Sequence, residues 1–176
     1  MTICSYFQIL LFLHMDWESH DRWAEKFGIS REVSRYVNRI IDEDDRAELP
    51  ADYREWINKW AERKAAKDGA KHGNSALHLV LKRHIKEKHD KGAGTKTADI
   101  MAGEATTQFL QQKGEDYLAA YYLHHHLDYL SENRNTGKTL QQLTEEHRNS
   151  GSKPFNSKTV DFLLKHSDKL RDELNL

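Results

Sequence analysis

A chain of 176 residues is long enough to bury a core and needs no second folded unit, so one helical domain is expected over residues 15–176. Its 27 basic and 28 acidic residues leave a formal net charge of −1, which excludes a global field drawing it to nucleic acid or anionic lipid. The single cysteine, Cys4, excludes an internal disulfide and a Cys-rich zinc module, and it fits a reducing, cytoplasmic setting.

Residues 3–13, ICSYFQILLFL, are apolar but lack a basic n-region and a small-residue cleavage site. They also fall short of the ~20 residues that span a bilayer as a helix, so no membrane association is expected. Met15 offers a second start, which makes residues 1–14 a doubtful extension, either a translation artefact or a segment docked on the domain. The spacing of Trp17, His20, Ala24 and Phe27 predicts a helix over 16–27 that Gly28 ends. Ser30 is a natural N-cap for the next helix, whose Val33, Tyr36, Val37, Ile40 and Ile41 keep the same period.

An acidic turn at 42–45 leads through Pro50 to a third helix carrying Tyr53, Trp56, Ile57, Trp60 and Ala61, and KAAKDGAKHGNS at 64–75 reads as a flexible basic linker. Residues 75–89 read as a helix with Leu77, Val80, Leu81 and Ile85 on one side and His84 inside that arc. The loop KGAGTKT at 91–97 precedes helices near 98–112 and 115–132, parted at Gly114. Helices over 138–148 and 157–174 complete the chain. No segment alternates like a strand, so an all-α bundle of about seven helices is the expected class.

The helix over 115–132 contains AAYYLHHHLDYL, residues 119–130. At about 100° per residue, Ala119, Ala120, Leu123, Leu127 and Leu130 form one arc, whereas Tyr117, Tyr121, His124 and Asp128 share the opposite side. His124 precedes Asp128 by one turn and His125 lies at the edge of that group, so imidazole and carboxylate can meet on one ion; His126 points elsewhere. Further ligands must come from other helices, and His20 and His84 stand on apolar faces where helices should meet. Such donors suit zinc, manganese or iron. His72, His78, His89 and His147 have polar neighbours and are expected to be solvated.

The run AGEATTQFLQQKGEDYLAAYYLHHHLD, residues 102–128, resembles the core of HD-domain metal-dependent phosphohydrolases: a helix, a Gly turn at Gly114, then a helix of the type AAYYLHH. Glu104 stands where that family has its first His, and His125 where it has the Asp of its doublet; the literal His-Asp doublets are His20-Asp21 and His89-Asp90. The resemblance implies an all-helical hydrolase of a nucleotide or other phosphate ester, in which metal activates water. It implies His124, His125 and Asp128 as ligands, His20, Asp21 and His84 completing the site, and Lys82 or Arg83 receiving the phosphate.

The competing class is a non-catalytic helical module that binds nucleic acid or a protein partner. The basic stretch from Lys59 to Lys91, with Trp56 and Trp60 at its start, is its best local support, although Glu62, Asp68, Glu87 and Asp90 interrupt it. RWAEKFGISREVSRYVNRI has features of a helix-turn-helix with Arg31, Arg35 and Arg39 available to phosphates, but its turn is a residue short and its second helix is needed for the core, so a plain hairpin is expected. GAGTKT and NTGKT lack the Walker spacing and a preceding strand, so no nucleotide cofactor is expected. A third reading is an ion that stabilises the bundle without turnover.

Overall fold

The computed structural model describes residues 15–43, 47–67, 96–150 and 156–174. Every regular element among them is helical, as expected: α1 Trp17–Phe27, α2 Arg31–Asp42, α3 Ala51–Lys67, α4 Lys96–Lys113, α5 Glu115–Glu132, a 3-10 turn at Arg134–Thr136, α6 Leu140–Ser150, α7 Ser157–Lys165 and α8 Ser167–Leu174. The extension 1–14, the helix expected over 75–89, and with it Lys82, Arg83 and His84, lie outside the described residues. No described helix is long and apolar enough to cross a membrane.

Contacts group the chain into two units, one within Met1–Ser34 and Ala119–Leu176, the other within Arg35–Leu118. In the second, α3 packs on α4. Tyr53 is fully buried with its ring edge-on to Phe109 and its hydroxyl 2.9 Å from that of Thr106, so the core keeps an aromatic body and satisfies its polar tip. The indole N–H groups of Trp56 and Trp60 donate to Gln112 and Gln108 of α4, at 3.2 and 3.0 Å. These were the aromatics that would have served a nucleic-acid surface; Trp60 is instead buried and Trp56 leans on Phe109.

In the first unit, α1 begins and ends on local chemistry. The Asp16 carboxylate accepts from the Ser19 N–H at 2.7 Å, which satisfies one of the helix's unpaired amide donors. At the other end Gly28 adopts φ 94°, its N–H donating to the Glu25 carbonyl and that of Ile29 to Ala24, which closes the helix in a Schellman turn. Ser30 caps α2 as expected, its hydroxyl accepting from the Val33 N–H. Between them Arg31 reaches both Glu18 and Glu25 at 3.1 Å, so its guanidinium is already engaged by carboxylates.

Three expectations change. Trp17 has the angular position of the α1 stripe but stands on its first residue and remains 38% exposed; the fully buried indole is that of Trp23, one turn beyond His20. Residues 64–67, expected to open a flexible linker, continue α3 instead, where alanine and lysine favour helix over coil; the rest of that expected linker lies outside the described residues. The helix over 157–174 is two helices broken at His166, whose N–H is shared between the Phe162 and Leu163 carbonyls and whose own carbonyl starts α8. The break lets both short helices meet α1: Trp23 packs edge-on to Phe162 and His166, and its indole N–H donates to Glu173 of α8 at 3.0 Å.

Candidate metal centre

Helix α5 is buried on more than one side. Ala120, Leu123, Leu127 and Leu130 are core, but so are Tyr121, His124, His126, Asp128 and Ser131. The arc that reads as the polar side of an amphipathic helix therefore carries ionisable groups into the interior, where each must be balanced.

His124 and Asp128 lie one turn apart on α5, with His124 Nε2 at 3.1 Å from Asp128 Oδ2. From α1, His20 brings its Nε2 to 3.3 Å from the other carboxylate oxygen, Oδ1. The two imidazole rings stack at 4.1 Å with 11° between their planes. All three side chains are buried, and one ligand atom from each lies within 4.8 Å of the others, a group that can hold a metal ion. The two nitrogen–oxygen distances run to different oxygens of the one carboxylate, so Asp128 bridges the imidazoles, and an ion shared by all three would have to draw the ligand atoms around itself.

The protonation of His20 is constrained from behind. Its Nδ1 lies 3.0 Å from the Asp16 carbonyl oxygen, which can only accept, so Nδ1 carries the hydrogen and donates. The Nε2 of a neutral His20 is then a lone pair facing a carboxylate. Either a second proton on His20 or a cation shared by the three side chains turns that facing into an attraction. Protonating both stacked histidines would set two positive charges about 4 Å apart, at a cost of about 4 kcal/mol for an effective dielectric constant of ~20. Burial alone would raise the Asp128 carboxyl; His124, and then His20, outweigh it and hold the group well below the usual carboxylate range.

The remaining candidates fall elsewhere. Asp21 is fully buried but lies outside the three-residue group, about 100° around α1 from His20. His125 is half-buried, its ring edge-on to Tyr121 at 4.5 Å and to His124 at 5.6 Å, and it too is outside the group. Glu104, at the position of the HD family's first His, is exposed and accepts from Gln108.

A second buried histidine pair was not foreseen. His126 of α5 donates from Nδ1 to the Tyr122 carbonyl at 2.9 Å, and its ring meets His147 of α6 at 4.3 Å. Burial pushes His126 down to about 4, so it is neutral at pH 7. His147, expected to be solvated, is 1% exposed and stacks on Tyr129. Its sequence neighbours are polar, but it lies one turn after Leu143 and two after Leu140, on the buried face of α6; that spacing was the available signal.

No family model, no curated protein and no solved structure matches the chain.

Proposed function

We propose that this is a metal-binding helical protein in which His20, His124 and Asp128 hold one divalent cation, zinc, manganese or iron, and that the site hydrolyses a phosphate ester such as a nucleotide. The observation that carries the reading is the convergence of two Nε2 atoms and a carboxylate from two helices, with His20 Nδ1 turned away to the Asp16 carbonyl at 3.0 Å. Imidazole nitrogen and carboxylate oxygen are the donor set these metals share. Three protein ligands leave at least one position on a four- to six-coordinate ion for water or substrate.

When bound, the cation would supply Lewis acidity, lowering the pKa of water and neutralising phosphate charge. The chain's own part is to hold two neutral imidazoles and one carboxylate at fixed separation and to keep the ligand atoms dry, which strengthens every charge interaction there. The likeness of residues 102–128 to HD-domain phosphohydrolases supports the hydrolytic step, with Lys82 and Arg83 as the phosphate contacts it implies.

The depth of the site supports a second reading, an ion that fastens α1 to α5 without turnover, because His20, His124 and Asp128 are all at most 5% exposed. Elemental analysis of untagged protein by plasma mass spectrometry should find about one ion per chain, lost in His124→Ala/Asp128→Ala. A wild-type chain that retains none after incubation with zinc, manganese or iron ends both readings. Hydrolysis of p-nitrophenyl phosphate by loaded protein selects the enzyme; a loaded but inert protein selects the fastening ion.

A further inference from the structure

We infer that Asp16 is a positioning residue for this centre: as the N-cap of α1 it fixes the tautomer and ring direction of His20, and through His20 the affinity of the site for metal. The inference rests on the reading of His20, His124 and Asp128 as metal ligands, and it assigns a role to a residue outside them.

Asp16 is in extended conformation, with φ −72° and ψ 160°, where an N-cap belongs. Its side chain accepts from the Ser19 N–H at 2.7 Å. Its carbonyl takes two donors from one residue, the backbone N–H of His20 at 3.1 Å and the ring Nδ1–H of His20 at 3.0 Å. The cap therefore holds the first turn closed, and the closed turn presents the carbonyl to the imidazole. A neutral histidine whose rear nitrogen donates to a fixed oxygen offers its other nitrogen as a lone pair in one direction, which is how an outer-shell partner orients a metal-binding imidazole.

Losing the side-chain cap frays the turn that contains the carbonyl, which frees His20 to exchange tautomers and rotate away from Asp128. Asn retains the cap without the charge, so it separates capping from any direct attraction between Asp16 and a cation.

The test compares wild type, Asp16→Ala and Asp16→Asn by calorimetric titration with zinc, alongside long-range 1H–15N spectra of the histidine rings. Asp16→Ala is expected to bind zinc about 10- to 100-fold more weakly, with His20 exchanging between tautomers, while Asp16→Asn stays near wild type. A folded Asp16→Ala protein with wild-type zinc affinity overturns the inference and leaves the metal site standing. Should Asp16→Ala fail to fold, the wild-type metal-free spectrum still decides: Nε2–H rather than Nδ1–H on His20 overturns it. Wild type that binds no zinc, manganese or iron overturns the metal reading itself, and this inference with it.

Discussion

Asp128 is the residue on which the site turns, because it faces two imidazoles from two helices. Asp128→Asn keeps its size and removes the carboxylate charge that both imidazoles face. Losing that acceptor in the interior should destabilise the metal-free protein by about 1–3 kcal/mol, read from urea unfolding at pH 7. The same variant should lose metal by elemental analysis. The helical spacing of His124 and Asp128 is legible in the sequence, as is the place of His20 on the inner face of α1. That His125 stands outside the three-residue group is not, since by spacing it also reaches Asp128.

Several helices are stopped or tied down by residues with identifiable roles, and these can be tested without touching the site. A Cβ at Gly28 would meet nothing within 4 Å, so the cost of Gly28→Ala comes from its φ of 94° alone. About 1 kcal/mol is expected, measured by chemical denaturation. Glu173 ties α8 to α1 through the Trp23 indole N–H and Arg22. Glu173→Ala should cost about 1–2 kcal/mol, chiefly because the N–H of a fully buried indole loses its acceptor. Asp52 joins α2 to α4, accepting from Tyr36 at 2.7 Å and pairing with Lys113 at 3.0 Å. Burial raises its carboxyl, but those two partners outweigh it and leave the group below its usual value. A depressed carboxyl stabilises above the unfolded-state value of 3.8 and loses that contribution as pH falls through its lower folded value. Asp52→Asn should therefore be less stable than wild type by at most about 1 kcal/mol at pH 7, with the gap closing in acid below that value. Thermal unfolding at pH 7 and at pH 2–3 checks it.

On the scale of the molecule, a cation at His20, His124 and Asp128 would link a helix near the start of the chain to one most of the chain away. Because such a site exists only in the folded state, free metal at 100 times its dissociation constant should add about 2.7 kcal/mol of stability. Thermal unfolding with zinc against a chelator should show that rise in wild type and none in Asp128→Asn. The sequence by itself determined the helical class, most helix bounds and the caps at Gly28 and Ser30, because periodicity and capping act within a few residues; the cap at Asp16 came from the structure. It also placed His20, His124 and Asp128 on faces able to carry a site. Only the tertiary structure decided that α5 is buried on its polar side too, and that His20 and His124, without His125, group with the carboxylate. Those outcomes depend on which elements pass one another in space, and a periodic pattern along one helix does not encode its neighbours.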